Sequence, residues 1–290
     1  PAVAGSFYPH DKEGLIESIR QSFLGKLGPG EYPESIFFQG KKSGSIGCFI
    51  VPHAGYVYSG QVAAHSYFKA RENLGKVEEE LTVIILGPNH YGIGSGVALS
   101  PSVSWETPLG NLEVNQVLSR KISQESKITD FDPLAHSREH SIEVQIPFIQ
   151  WVLGGKRKVS FVPICLMLQD RETTSEVADA IFSALEKNKE KSGQILILGS
   201  SDLTHYESQE KANIKDHKLL SSIESMEVRE YYTTLERNNV SACGYGAIAT
   251  VMLLARMFGK KRGQLLKYAT SGDVTGDKSS VVGYSAVHFE

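Results

Sequence analysis

The sequence has little of what would assign it quickly to a specialised class. It holds only three cysteines, Cys48, Cys165 and Cys243, an odd number at wide spacing, so a disulfide framework is not expected and a reducing compartment is. Long hydrophobic runs are missing. The stretches around 83–86 and 195–198 are far too short to span a bilayer, and the first residues lack the charged-then-apolar pattern of a secretory signal. A cytoplasmic protein is expected. Charge of one sign is also missing: 30 basic residues face 33 acidic ones, for a formal net charge of −3. The basic runs Lys156-Arg157-Lys158 and Lys260-Lys261-Arg262 are short and read as solvated faces or helix ends, so no nucleic-acid binding is expected. No linker, fixed-period repeat or low-complexity segment divides the 290 residues, which read as one large domain.

What is present is the patterning of an α/β protein. Asp11 stands where an N-cap would, ahead of an apolar stripe of Leu15, Ile16, Ile19 and Phe23, and Gly25 stands where a C-cap would. Thr173 and Glu176 form a possible capping box ahead of Val177, Ile181 and Leu185, and residues 247–258 form a mostly apolar run that suits a buried helix. Between helices lie short runs of Ile, Val, Leu and Phe at 46–51, 81–86, 159–164, 195–198 and 281–288, as expected for strands covered on both faces. The alternation predicts a three-layer α/β/α sandwich with a mainly parallel or mixed central sheet. The region 96–114, broken by Pro101 and Pro108, reads as an excursion or hairpin.

Three apolar strands end alike, in Val51-Pro52-His53, Leu86-Gly87-Pro88-Asn89-His90 and Leu198-Gly199-Ser200-Ser201-Asp202-Leu203-Thr204-His205. Loops at the carboxyl ends of such strands form the ligand crevice, so three histidines delivered there are expected to converge. Cys243 precedes Gly244-Tyr245-Gly246 and the helical run at 247–258. It would lie near a helix N-terminus, where the dipole and free N–H groups favour thiolate. Cys48 and Cys165 fall inside strand patterns and read as core.

At this point a resemblance becomes specific. The strings Pro1-Ala2-Val3-Ala4-Gly5-Ser6-Phe7-Tyr8-Pro9, Val51-Pro52-His53-Ala54-Gly55-Tyr56, Gly87-Pro88-Asn89-His90, Glu139-His140-Ser141-Ile142-Glu143, Ser200-Ser201-Asp202 with His205, and Cys243-Gly244 resemble, in this order, the Memo family. The resemblance covers essentially the whole chain. It implies a fold shared with class III extradiol dioxygenases, which hold Fe(II) with two histidines and a carboxylate. By the Memo pattern the ligands here would be His53, His90 and Cys243, with Asp202 and His205 beside them. It further implies iron or copper, with zinc also compatible, and a dioxygenase-like oxidoreductase activity on an unknown small molecule. A second implied function is a non-catalytic module whose same cleft binds a tyrosine-phosphorylated or other peptide, or an assembly partner. Prokaryotic members travel with AMMECR1-type and radical SAM proteins, which would be partners. A thiolate in place of the carboxylate softens the site, suiting copper(I), zinc or iron, and is itself oxidisable.

Within this scheme His205 is the expected acid/base and Asp202 the carboxylate that could orient its imidazole, or else a turn-capping aspartate. His140 and Glu143 become pocket-wall or ligand-supporting residues, and Tyr56, Tyr91, Tyr206 and Tyr245 either line the pocket or pack. His136-Ser137-Arg138-Glu139-His140 also fits the H-x-x-E-H pattern of inverted zinc proteases, a minor hydrolase alternative that needs both histidines on one helical face. The loop from Ser271 to Asp277 reads as a long turn, and His10, His65, His217 and His288 as surface or packing residues.

Overall fold

The computed structural model describes residues 1–32, 46–74, 80–155, 157–187 and 193–290. In chain order its elements are α1 (Lys12–Leu24), β1 (Ile46–Val51), α2 (Tyr56–Asn73), β2 (Leu81–Pro88), β3 (Val97–Leu99), β4 (Ser104–Thr107), β5 (Gly110–Val114), α3 (Gln116–Glu125) and β6 (Thr129–Phe131). There follow the short α4 (Ile146–Phe148), β7 (Val159–Leu166), α5 (Arg171–Glu186), β8 (Gln194–Ser200), β9 (His205–Glu207), α6 (Gln209–Glu224), α7 (Val228–Asn238), α8 (Tyr245–Met257), β10 (Gly263–Thr270), α9 (Ser271–Thr275) and β11 (Val281–Phe289).

The sheet runs β10-β11-β1-β8-β2-β7-β3-β6 and is mixed. Its centre is parallel: β1 pairs with β8, β8 with β2, and β2 with β7. Antiparallel pairing flanks it on both sides, through β11 and β10 at one edge and β3 at the other. The 96–114 region is the expected hairpin, β4 on β5, preceded by β3.

Alternation along the central strands feeds two separate cores. On β1, Cys48 and Ile50 face the helical layer containing α3, α5 and α8, together with Ile84, Leu86, Ile195 and Ile197. Phe49 and Val51 face α1, α2 and the 142–153 segment, together with Val83, Ile85 and Leu198. This is the α/β/α sandwich that the apolar runs call for, because strands buried on both faces have no position for a solvated side chain. Each such Ile, Leu or Val removed from water contributes about 1.5–3 kcal/mol. Among the described residues no helix is long and apolar enough to cross a membrane.

Local chemistry accounts for most helix ends. Asp11 caps α1 by accepting from the Gly14 N–H, and Leu15, Ile19 and Phe23 are fully buried while Ile16 stays partly exposed. For α5 the expected capping box is not used. Asp170 is the N-cap, accepting from the N–H groups of Glu172 and Thr173, and the Glu176 carboxylate instead accepts from the Lys127 N–H. The loop at 271–277 contains a helical turn, α9, closed by a capping box between Thr270 and Asp273. Arg157 is not on a solvated face: it is buried and donates to Gln194 Oε1. Its neighbour Lys156 lies outside the described residues.

The zinc-protease alternative fails on geometry. His136 ends a single 3-10 turn, Leu134–His136, and Ser137 to His140 are not helical, so no helical face unites the two histidines. The His136 ring packs edge-on to Trp105, whereas His140 stacks on His90.

Candidate metal centre

Three adjacent parallel strands carry the donors. In the register of the sheet Val51 of β1 lies beside Ser200 of β8, and Leu86 of β2 lies beside Gly199. Two residues beyond β1 comes His53, and two beyond β2 comes His90; their rings meet edge to face across the end of β8, 5.2 Å apart. Cys243 arrives from the opposite layer at the start of α8, with its sulfur 3.1 Å from His53 Nε2. One nitrogen from each histidine and the Cys243 sulfur lie within 4.8 Å of one another. That spacing is comparable with the span of two ligand bonds of roughly 2.0–2.3 Å each, so the donors fit a single transition-metal ion.

The tautomers can be deduced from the surrounding bonds. Ser200 has one hydroxyl hydrogen, and it goes to the Ser141 carbonyl at 2.7 Å. Its oxygen therefore accepts, from Gln145 Nε2 at 2.9 Å and from His53 Nδ1 at 2.9 Å. His53 must then carry its proton on Nδ1 and present a bare Nε2 toward Cys243. Gln145 is itself oriented by Tyr67, whose hydroxyl donates to Gln145 Oε1. His90 is fixed the same way: Nδ1 faces Glu139 Oε1 at 2.8 Å, and a carboxylate acceptor requires a proton there. Both rings thus offer Nε2, as histidine ligands backed by a hydrogen-bond acceptor do.

Electrostatics keep the ring lone pairs available. Burial holds His53 well below the ordinary histidine range, reinforced by His140 and His90. Burial likewise brings His140 to about 4 against the pull of Glu139. Burial acts to raise Glu139, yet the His90 ring, the His90 N–H and the Ser141 N–H together bring it down to about 2. Cys243 departs from expectation: burial pushes its thiol up, and the Asp202 charge adds to this, outweighing the Asp202 N–H, the Ser201 hydroxyl and the Gly244 N–H at the start of α8. The helix terminus alone does not make a thiolate there; a bound cation would.

Gly244 permits this approach. A Cβ on it would stand 2.3 Å from the Ser200 carbonyl oxygen, so only glycine lets the N-cap of α8 sit against the end of β8.

A family model described as Memo-like protein matches residues 1–288. The chain belongs to the Memo family. A MEMO1 family protein of Sulfurisphaera tokodaii is 45% identical over 290 residues, spanning 100% of this chain and 98% of its own. Another, from Saccharolobus solfataricus, is 43% identical over 289 residues with the same coverage.

In this Memo chain the donor group lies in a cavity of about 850 Å³, lined also by Asp202, His205, His140 and Tyr206. Asp202 does not orient His205. Its Oδ1 accepts from the His53 backbone N–H at 2.8 Å, and its own N–H donates to the Cys243 sulfur at 3.3 Å, so it ties two donor loops together. His205 is held instead by the carbonyls of Leu203 and Ser241, at 2.7 and 3.0 Å from Nδ1, which leaves Nε2 as its acceptor atom.

Glu143 is away from the cavity. It accepts from the N–H groups of Ala2 and Val3 and from the Tyr8 hydroxyl, anchoring the N-terminal segment that brings Ser6 and Phe7 to the cavity wall. Tyr56 is buried with its hydroxyl on the Val144 carbonyl, Tyr91 is exposed, and Tyr245 packs on Tyr232; none of the three lines the cavity. Sequence reasoning passed over Glu139, Ser200 and Gln145 as supports, and Tyr58 and Tyr284 as lining. Glu139 lies within a family string, but nothing in the string says which of its two acids meets His90. A second group, His90, Glu139 and His140, also satisfies metal-ligand spacing, sharing His90 with the first.

Proposed function

We propose that this Memo protein is a metal-dependent oxidoreductase of dioxygenase-like type, holding one iron or copper ion through His53, His90 and Cys243. The observation that carries the proposal is the convergence of one nitrogen from each of two histidines and one sulfur at a cavity wall, each histidine backed by its own acceptor. Three protein donors leave coordination positions for an outside molecule, whereas structural sites close the fourth with protein. Such an ion would supply one-electron redox chemistry and a Lewis-acid position for a small molecule.

The side chains divide the remaining work. His205, with Nδ1 committed to carbonyl oxygens, takes or returns a proton at Nε2. Asp202 keeps the His53 and Cys243 loops at fixed separation through its carboxylate and its N–H. Phe7, packed on the His140 ring at 4.4 Å, shields the imidazole cluster from water.

Metal analysis of protein purified without oxygen, wild type beside Cys243→Ser, tests this. Stoichiometric iron or copper that is lost in the variant, with both proteins melting normally, supports the proposal. Metal-free wild type that takes up neither ion overturns it.

A further inference from the structure

The wall of the cavity carries chemistry that the donor group does not use. Among the described residues lining it there is no lysine or arginine, while Asp202 and Asp277 both contribute carboxylates. Three tyrosines, Tyr58, Tyr206 and Tyr284, line the same space. Tyr284 is the buried member, 2% exposed.

Tyr206 is the unusual member. Its backbone is left-handed, with φ of 58°, a region that non-glycine residues seldom adopt. Yet the residue is 79% exposed and so gains little from the core. That backbone sets an aromatic ring in the cavity lining, edge-on to His205 at 5.7 Å. Tyr58, 44% exposed, also keeps part of its ring accessible.

Electron-rich ring faces together with a carboxylate, with neither lysine nor arginine beside them, suit an alkylammonium group. Apart from the donor group, an anionic ligand would meet the Asp277 carboxylate and neither lysine nor arginine. Resting on the metal-centre reading above, we propose that the cavity takes an amine-bearing substrate, its ammonium held by Tyr58, Tyr206, Tyr284 and Asp277 while its other end approaches the donor group. The same wall offers a phosphorylated peptide neither arginine nor lysine for its phosphate.

Titration calorimetry with three matched probes tests the proposal: tyramine, 4-ethylphenol and 4-hydroxyphenylacetate, which share a phenol and differ in the charge of the side chain. Tyramine is expected to bind tightest and 4-hydroxyphenylacetate weakest, by at least about tenfold between the two. Tyr206→Ala and Asp277→Asn are each expected to narrow that ratio. Equal or tighter binding of the acid overturns the proposal, as does saturation by none of the probes. The same series on Cys243→Ser separates the two ideas. A preserved ranking in protein without metal supports the amine site whatever becomes of the metal reading; a metal-loaded wild type without the ranking sinks the amine site alone.

Discussion

The two carboxylate oxygens of Glu139 accept from two different donors of His90, the backbone N–H at 2.7 Å and ring Nδ1 at 2.8 Å. One buried acid therefore sets both where the His90 loop runs and which nitrogen its ring presents. Glu139→Gln keeps the shape but removes the charge that fixes the tautomer. Metal affinity is expected to fall by about 10–100-fold, measured by competition with a chromogenic chelator. Unchanged affinity would mean that Glu139 serves only the loop.

Ser200 is the matching support for His53. Ser200→Ala strips the acceptor from His53 Nδ1 and from Gln145 Nε2 in a dry interior. A loss of about 1–3 kcal/mol in folding stability is expected, read from the urea midpoint of metal-free protein. Metal affinity should fall too, because the His53 ring is then free to change tautomer.

Gly244→Ala places a methyl group against the Ser200 carbonyl, which is backbone and cannot swing aside. The start of α8 must move outward, carrying Cys243 with it. Thermal unfolding should come several degrees earlier, with a drop of more than about 1 kcal/mol. Metal uptake should weaken in parallel; retention of both would show that the contact relaxes locally.

Acid stability should report His136, whose ring sits against Trp105 outside the donor group. Burial holds it down at about 4, although Asp132 and Glu139 act to raise it. A histidine with a folded value below its unfolded value binds fewer protons when folded. Its stability is thus complete above about 6.5 and is lost as the pH falls toward about 4, by up to ~3 kcal/mol. His136→Phe should flatten that limb of the pH–stability curve, with denaturant midpoints at pH 7 and pH 4.5 as the comparison.

Much of the frame is legible in the sequence because strands buried on both faces leave continuous apolar runs, and five of these mark β1, β2, β7, β8 and β11. The meeting of His53 and His90 follows from a second regularity, the delivery of loops to one edge by parallel strands. β10 escapes notice because Gln264 is exposed, Leu265 to Tyr268 are only partly buried, and the run is mixed in character. The supporting contacts escape for a different reason. Whether Glu139 or Glu143 reaches His90, and whether Asp202 serves His205 or the His53 N–H, depends on loop paths and rotamers that leave no period in the sequence. Tyr56, Tyr91 and Tyr245 sit next to cavity residues along the chain yet point elsewhere, since neighbours in a turn rarely share a direction.

β8 lies between β1 and β2 in space although the chain makes it after both. Until it slots in, the stretches ending in His53 and His90 have no shared scaffold, and Cys243 emerges later still. A growing polypeptide therefore displays no preformed claw that could seize an ion on the ribosome. Any ion held jointly by His53, His90 and Cys243 would have to wait until Cys243 has been made and β8 has seated between β1 and β2.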